Sequence, residues 1–445
     1  MKTAFLSFLI PLLVPVQACL TRDEIRGGHI VDLTKGINRR QTDGNVGTIP
    51  VATGDRFQNG DKAPRGIGSQ AATVLGTFNS VLNTNEIKSA IKGLEKEFRV
   101  GYFETPYKTF ENRTMFGAKV GGTGKSNNGY RVLLETGIHA RERGGPDHLI
   151  YFISDLLWAN REKKGLNYGG VSYTYKDVQT ALGMGIVVLP LVNPDGVAFD
   201  QTTNSCWRKN RNPASAISGD PHSIGIDLNR NFAPVWNFTK YLAPGIEAAS
   251  TNASTETFYG TGPLSEPETK NVDWTMDRFP NLGWFMDQHS PATLVLYGWC
   301  HDSNQARDPT QNFGNMAYDG KRGVVPDEPS KGTAYKEYLD QKDWDILSLT
   351  AARIAGGMSD STGRFYPALQ APHLYPSSGC SADHGYMKAM LDPSKKKIYG
   401  FGVEFGEWNE DAECGFYPTV EAHGKNMVEN GVAYMELLLN AARLS

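Results

Sequence analysis

Regularly spaced apolar residues begin near Thr84 and continue almost to the C-terminus of this 445-residue chain. Apolar positions at helical spacing predict helices over 86–98, 147–160, 266–278, 334–356 and 420–442. Continuous apolar runs predict buried strands over 131–137, 186–189, 294–297 and 398–405. This alternation predicts an α/β fold with a mixed, mostly parallel twisted sheet that is flanked by helices on both faces.

The N-terminal part of the chain lacks this periodicity. Lys2, an apolar stretch and the small residue Ala18 predict a secretory signal peptide over 1–18. The stretch contains two prolines and is shorter than the ~20 apolar residues that a membrane anchor requires. Residues 19–70 are polar and predict a leader or short propeptide, in which Arg39-Arg40 is either a processing site or a solvated pair. The main domain is therefore predicted over 71–445.

The cysteines and sequons fit a secreted, extracellular protein. Cys19 lies at the predicted signal junction; the alternative, a lipid-modified Cys19, would indicate a bacterial lipoprotein. In an oxidising compartment two disulfides could form, in any of three pairings, among Cys206, Cys300, Cys380 and Cys414. Sequons that are typical of eukaryotic secreted proteins occur at Asn112, Asn237 and Asn252.

Composition and charge exclude some classes of partner. The hydrophobic content of 40% is sufficient for a sizeable core. A net charge of -3 and a pI near 6.3 give no electrostatic basis for binding nucleic acid or an anionic membrane surface. We therefore expect neither as a partner, and we expect the chain to be a monomer.

Candidate chemistry begins after the strand predicted over 131–137, where His139 precedes Glu142 by three residues. Catalytic zinc typically takes three protein ligands and one water, and two His with one Glu is a common set. Since the chain has nine histidines, one such spacing could arise by chance, so other segments must support it. The pattern H-E-x-x-H is absent, and Arg143 after Glu142 excludes the inverted form H-x-x-E-H.

Other polar residues stand beside apolar strands. His289 precedes the strand predicted over 294–297 and is either a third ligand or a buried structural histidine. Glu404 lies near the end of the strand over 398–405, where an unpaired carboxylate is costly to bury, and this indicates a function. Arg208 and Arg230 lie in polar clusters and either recognise a carboxylate or oxyanion or are ordinary surface arginines.

Taken together, these segments resemble the zinc carboxypeptidases of the pancreatic carboxypeptidase A type. The resemblance runs from about residue 80 to the C-terminus, with the segments in the same order and at comparable spacing. The matching segments are His139-Ala-Arg-Glu142, Asn193-Pro-Asp-Gly-Val-Ala-Phe199, Trp207-Arg-Lys209, Ile226-Asp-Leu-Asn-Arg-Asn231, His289, Tyr375-Pro-Ser-Ser-Gly-Cys-Ser-Ala-Asp383 and Gly402-Val-Glu-Phe-Gly406.

The resemblance implies that 71–445 is a catalytic domain that hydrolyses the C-terminal peptide bond of peptides and proteins. It implies one Zn²⁺ ion, held by His139, Glu142 and His289. It further implies that Glu404 is the general base and that Arg208 polarises the scissile carbonyl. The implied substrate-binding residues are Asn229, Arg230 and Tyr375 for the terminal carboxylate, and Arg141 as an accessory arginine for the carboxylate or extended substrate.

The sequence departs from the family pattern at three places. Ala382 occupies the pocket position that is acidic in members preferring Lys or Arg, so we expect a neutral, apolar or aromatic C-terminal residue in the substrate. Pro291 replaces an aromatic residue that often follows the His-Ser pair, which puts the extended subsite in doubt. A large inhibitory prodomain is not apparent, because residues 19–70 are too short and too polar.

Two other functions would use the same residues differently. A zinc amidohydrolase that acts on small acylated amino acids would need the metal ligands but not the complete carboxylate clamp. An inactive peptide-binding homologue would have lost a metal ligand or Glu404, and the sequence retains all of them.

Overall fold

The computed structural model describes residues 47–68, 78–122, 126–326 and 334–444. The predicted signal peptide, Cys19 and Arg39-Arg40 lie outside the described residues. The helices are α1 (Thr84–Phe98), α2 (Gly145–Glu162), α3 (Tyr175–Gly183), α4 (Pro194–Thr203), α5 (Phe238–Tyr241), α6 (Pro267–Arg278), α7 (Gln341–Thr362), α8 (Ser381–Leu391) and α9 (Val420–Leu444). The strands are β1 (Gly101–Lys108), β2 (Thr114–Val120), β3 (Val132–Thr136), β4 (Leu166–Tyr168), β5 (Val171–Tyr173), β6 (Ile186–Leu189), β7 (Trp284–His289), β8 (Leu294–Tyr297), β9 (Asn304–Gln305), β10 (Glu337–Tyr338), β11 (Ala368–Gln370) and β12 (Tyr399–Glu404).

An eight-stranded sheet with the order β1-β2-β6-β3-β7-β12-β8-β11 forms the centre of the molecule. Strands β6, β3, β7 and β12 are parallel to their neighbours within this central group. Strand β8 runs antiparallel to β12, and β1 and β2 add an antiparallel edge. The predicted mixed, mostly parallel sheet is therefore confirmed.

Successive residues of the central strands enter cores on opposite faces of the sheet. Val132 and Leu134 of β3 pack in one core, which also contains Ile87 of α1 and Leu149 of α2. Leu133 packs in the other core, to which α6 contributes apolar side chains. Because strand side chains alternate between faces, a continuous apolar run requires cover on both sides. The helices provide that cover, as predicted.

The structure corrects the start of one predicted helix and shows a central strand that was not predicted. The helix predicted over 334–356 begins only at Gln341, because the Asp340 side chain accepts a hydrogen bond from Lys342 N and caps the helix there. Glu337–Tyr338 instead form the short strand β10. Strand β7 was missed, because the polar residues of Trp284–His289 interrupt the apolar run that marks a buried strand. In the described ranges, no helix is long and apolar enough to cross a membrane.

The described end of the predicted leader, 47–68, packs on the main domain. Ile49 and Phe57 are buried. Arg56 forms an ion pair of 2.8 Å with Glu86 of α1. Gly68 N donates to Asp155 of α2 at 2.8 Å. These contacts attach the segment to α1 and α2, while the boundary near residue 70 stays a prediction.

Glu268 in α6 leads to a prediction about stability. Burial, and then the neighbouring Glu266, raise the pKa of Glu268 to about 8 from a reference of 4.5. The folded protein therefore retains a proton that the unfolded chain releases, and the resulting stabilisation is present below about pH 4.5 and is lost as pH rises through about 8. We expect Glu268→Gln, which does not titrate, to make Tm decline less between about pH 5 and 8. Calorimetric Tm values measure this effect.

Glu421→Gln is the matched control, since Glu421 also lies in the first turn of a helix but is exposed. It should leave the pH dependence of Tm unchanged. An identical pH dependence in Glu268→Gln and the unsubstituted protein would show that Glu268 is not protonated in the fold.

Candidate metal centre and substrate cleft

The ends of β3 and β7 bring His139, Glu142 and His289 together. His139 Nδ1 lies 2.7 Å from Glu142 Oε1, and His289 Nδ1 lies 3.1 Å from Glu142 Oε2. The two Nδ1 atoms are 3.2 Å apart. All three side chains are buried, and their donor atoms form one compact group that could hold a metal ion. Two imidazole nitrogens and a carboxylate are a donor set that suits zinc.

The turn after β3 places the first two of these residues. Gly137 has φ of +70°, a left-handed conformation that glycine adopts without strain. Ala140 N donates to Arg208 O at 3.1 Å, and Asn193 Nδ2 donates to Ile138 O at 3.1 Å. The first hydrogen bond joins the segment with His139 and Glu142 to the loop with Arg208, and the second joins it to the residue before α4.

A buried aspartate lies behind each imidazole. His139 Nε2 is 3.1 Å from Asp227 Oδ1, and His289 Nε2 is 3.0 Å from Asp287 Oδ2. Each carboxylate can accept a hydrogen bond from the Nε2–H group, which leaves the Nδ1 lone pair directed toward the metal position. Burial opposes ionisation of Asp227, but Arg208 and His139 outweigh it and hold the pKa of Asp227 well below its usual range.

Arg208 lies beside the candidate metal ligands. Its Nε and Nη2 atoms both donate to Asp227 Oδ2 at 3.0 Å. Its Nη1 atom is 3.8 Å from Glu142 Oε1. Arg208 is 2% exposed and lines a solvent-open cavity, with about 580 Å³ of empty space, that also contacts His139 and His289. Asp227 thus orients the guanidinium next to the candidate metal ligands.

Glu404 ends β12 directly beside His289. The parallel register pairs these two residues, and Phe405 N donates to His289 O at 2.9 Å. Glu404 is 3% exposed and lines the same cavity. The strand pairing therefore places a carboxylate next to the candidate metal centre.

Asn229, Arg230 and Tyr375 line another part of this cavity. Asn229 and Arg230 belong to the short helical turn Leu228–Arg230. Asn229 Oδ1 accepts a hydrogen bond of 2.8 Å from Ser381 N, at the start of α8. The Arg230 guanidinium lies 5.8 Å from the centre of the Tyr375 ring. A cation, an amide and a phenol therefore converge where a carboxylate could bind.

The rest of the cavity wall is mostly apolar. The residues on this wall include Leu296, Tyr297, Cys300, Cys380, Ala382 and Gly402. A Cβ atom at Gly402 would meet only the Leu296 side chain, at 3.7 Å, so this glycine leaves space in the cavity. Glu404 is the acidic member among the described residues that line the cavity.

The Asp383 carboxylate, next to Ala382 in the sequence, is hydrogen-bonded behind the cavity wall. Its Oδ2 atom accepts a hydrogen bond of 2.6 Å from Cys300 N. His301 lies 4.0 Å from the same carboxylate and 2.7 Å from Glu337. Burial opposes protonation of His301, but Asp383 and Glu337 raise the pKa of His301 to about 9. The imidazolium therefore balances acidic charge behind the pocket at neutral pH.

Arg141 is predicted to bind substrate but lies outside the set of described residues that line the cavity. Its guanidinium forms a bidentate ion pair with Glu256, at 2.8 and 3.1 Å. One face of the guanidinium lies 4.0 Å from the centre of the Phe416 ring, and Arg141 is 1% exposed. The other predicted residues except Glu142 line the cavity, whereas Arg141 is held by Glu256.

Three buried carboxyl groups near the metal position had no predicted role: those of Glu135, Asp227 and Asp287. Glu135 of β3 is fully buried, and Asp287 lies opposite it in the parallel register. Burial, and then the Asp287 charge, raise the pKa of Glu135 well above its usual range. An acidic residue within an apolar strand was the available signal for Glu135, as it was for Glu404.

Comparisons with known proteins establish the family. A family model described as zinc carboxypeptidase matches residues 103–426, and the chain belongs to this family. It is 28% identical over 230 residues to carboxypeptidase O of Homo sapiens, covering 51% of this chain and 54% of that protein. It is 30% identical over 299 residues to carboxypeptidase B of Bos taurus, covering 66% of this chain and 58% of that protein. The chain thus spans about half the length of the curated relatives it matches.

A solved structure confirms the fold class. The crystal structure of carboxypeptidase A from Helicoverpa armigera has a TM-score of 0.58 and 21% sequence identity, and the match covers 83% of this chain and 76% of that chain. The predicted family and fold are confirmed by these matches. The roles of individual residues stay predictions.

Proposed function

We propose that this protein is a secreted, zinc-dependent exopeptidase that hydrolyses the C-terminal peptide bond of peptides and proteins. The main support is that one cavity contacts the His139 and His289 imidazoles, the Glu404 carboxylate and the Arg230 guanidinium. A metal site and a buried acid together suit hydrolysis. A cation in the same cavity suits a substrate that ends in a free carboxylate.

His139, Glu142 and His289 would hold one zinc ion. The convergence of two Nδ1 atoms and a carboxylate within 3.2 Å fits the ion, and Asp227 and Asp287 fix the imidazole tautomers that it requires. Zinc bound there supplies Lewis acidity toward a carbonyl group and lowers the pKa of coordinated water toward about 7.

Glu404 and Arg208, which line the same cavity, would act together in the chemical step. Glu404 accepts a proton from the attacking water and later delivers it to the leaving amine, so it serves as general base and then general acid. Arg208, oriented by Asp227, donates hydrogen bonds to the carbonyl oxygen as negative charge develops. Because Arg208 is held in place before substrate binds, its stabilisation requires little reorganisation.

Arg230, Asn229 and Tyr375 would make the enzyme an exopeptidase. The buried Arg230 guanidinium, which donates to Asn229 O at 3.0 Å and lies 4.0 Å from Asp227 Oδ2, would form a further charge-assisted hydrogen bond with a free terminal carboxylate. Asn229 is fixed by its hydrogen bond with Ser381 N and can donate from its amide. An interior segment of a protein chain offers these groups no anionic partner.

The substrate's C-terminal side chain would be neutral, apolar or aromatic. Ala382, Leu296 and the space beside Gly402 give the pocket an apolar wall. Asp383 is turned to Cys300 N and so offers its charge behind the wall. A Lys or Arg side chain would lose its hydration here without an acidic partner in the pocket.

Secretion is supported by the sequence of the N-terminus and by the cysteines. The predicted signal peptide precedes a chain in which Cys206 pairs with Cys414 and Cys300 pairs with Cys380. Such disulfides are typical of oxidising compartments. The protein would therefore act outside the cell on peptide and protein C-termini, as a monomer.

Release of C-terminal amino acids from N-blocked dipeptides that differ only in their last residue would test this function. We expect release that is strongest for Phe or Leu, that stops on zinc chelation and that returns when zinc is restored. Cleavage only of small acylated amino acids would instead favour the amidohydrolase. No release by zinc-loaded, processed protein would favour the inactive homologue.

A further inference from the structure

The disulfide between Cys300 and Cys380 lies in the wall of the substrate cavity. Cys300 follows β8, and Cys380 is the residue immediately before α8. Their Cα atoms are 6.5 Å apart, and both residues line the cavity together with Ala382 and Leu296. The bond therefore joins two separate segments of the apolar wall.

Hydrogen bonds connect this disulfide to its surroundings on both sides. Cys300 N donates to Asp383, and Cys300 O accepts a hydrogen bond of 2.8 Å from Ser377 N. On the other side of Cys380, Ser381 N donates to Asn229. The disulfide is thus connected both to the apolar wall of the cavity and to the turn that contains Asn229 and Arg230.

Gly379 fixes the approach of the Cys380 segment. Its φ is +61°, and a Cβ atom there would lie 2.3 Å from Arg230 O. Phe232 N also donates to Gly379 O at 3.0 Å. Because the backbone packs so closely on the Arg230 turn, the position of Cys380 is set relative to the carboxylate site.

The second disulfide provides an internal comparison. Cys206 and Cys414 are buried in a small cluster with Phe416 and Tyr417. They lie outside the set of described residues that line the cavity. The two disulfides therefore differ in whether they contact the substrate cavity.

We propose that the Cys300–Cys380 disulfide determines which C-terminal side chains the enzyme prefers. This inference rests on the proposed function, because it assigns the apolar part of the cavity to the substrate's last side chain. Because Cys300 and Cys380 both line the cavity, a large apolar side chain bound there would lie against the two half-cystines, and the covalent bond limits how far their two segments can separate. A substrate that ends in Phe would bury more apolar surface against this wall than one that ends in Ala, and the enzyme would therefore prefer the Phe substrate.

Two double variants test this inference. C300S/C380S removes the disulfide that lines the cavity, and C206S/C414S, which removes the other disulfide, is the matched control. For each protein, KM and kcat are measured on N-blocked dipeptides that end in Phe or Ala. Binding of N-acetyl-L-phenylalanine and N-acetyl-L-alanine to the zinc-loaded proteins is measured by calorimetry. Zinc content and Tm report whether each variant is folded and loaded.

We expect C300S/C380S to lose about tenfold of the preference for Phe over Ala, mainly through KM, with zinc content retained. The preference should be unchanged in C206S/C414S. An unchanged preference in C300S/C380S would overturn the inference, as would equal losses in both variants. The ratio of the affinities for N-acetyl-L-phenylalanine and N-acetyl-L-alanine separates this inference from the proposed function. If none of the proteins hydrolyses a dipeptide, the peptidase proposal fails. The inference still stands in that case if C300S/C380S alone loses its selective binding of N-acetyl-L-phenylalanine.

A second measurement applies if C300S/C380S does not fold. The C206S/C414S protein is treated with a phosphine, which is oxidised to the phosphine oxide as Cys300–Cys380 becomes two thiols. Mass spectrometry after alkylation confirms the cleavage, and zinc content is measured again. Loss of the binding preference for N-acetyl-L-phenylalanine supports the inference, and a retained preference overturns it.

Discussion

Replacement of Glu404 by Gln should lower kcat by about a thousandfold while the protein still binds zinc, because the amide cannot accept the proton of the attacking water. The substitution keeps the size of the side chain at the end of β12, beside His289. It also leaves His139, Glu142 and His289 intact as candidate ligands. Steady-state kinetics on an N-blocked dipeptide, with zinc content measured on the same sample, tests this prediction.

Glu407→Gln is the matched control for this experiment. Glu407 lies just beyond the same strand, but its side chain is 63% exposed and pairs with Arg364. Its loss should change kcat little, because Glu407 is largely exposed and lies outside the set of described residues that line the cavity. Near-normal turnover by Glu404→Gln would refute its assignment as the base, and loss of zinc from that variant would point to a structural role instead.

Four strands of the central sheet, β3, β6, β8 and β12, were predicted from their apolar runs, whereas β1, β2, β7 and β11 were not predicted. The runs over 186–189 and 294–297 coincide with β6 and β8, since strands covered on both faces need apolar residues at every position. Strand β7 has the same environment but contains Asp287, Gln288 and His289. These polar residues, which include the candidate metal ligand His289, interrupt the apolar run in β7, so the pattern that identified the neighbouring strands is missing.

The candidate site was predictable only as far as its residues match short family segments. His139 and Glu142 are neighbours in sequence, whereas the Asp227 carboxylate that orients His139 lies 88 residues away. The pairing of Arg141 with Glu256 spans 115 residues and depends on how the loop around Glu256 folds. Such contacts have no local sequence signal, because the tertiary fold alone brings the partners together.

The cysteine pairing illustrates the same limit. Four cysteines allow three pairings, and spacing along the chain does not distinguish them. The fold selects Cys206 with Cys414 and Cys300 with Cys380, which are separated by 208 and 80 residues. The sequence does not show that Cys300 and Cys380 are paired in the wall of the substrate cavity. The proposed effect of this disulfide on substrate preference therefore depends on the structure.

Substrates with an amidated C-terminus should be cleaved at least about a hundredfold less efficiently than the corresponding free acids, because an amide offers Arg230 no charge. Arg230 is 3% exposed and lines the cavity, where its guanidinium would lie against the terminal group of the substrate. Arg230→Gln should therefore reduce the preference for the free acid toward unity, mainly by slowing cleavage of the acid. The ratio of kcat/KM for each acid and amide pair isolates this contact from other effects of the substitution.

Arg278→Gln serves as the control for Arg230→Gln, since Arg278 is exposed at the end of α6 and lies over Trp274. It should leave the ratio of acid to amide cleavage unchanged. Efficient cleavage of amidated peptides by the unsubstituted protein would overturn the exopeptidase assignment. A full preference for the free acid in Arg230→Gln would instead move carboxylate recognition to another cation, and Arg141 would be the first candidate if Glu256 released it. The same experiment therefore distinguishes a terminal carboxylate bound at Arg230 from one bound at the guanidinium now paired with Glu256.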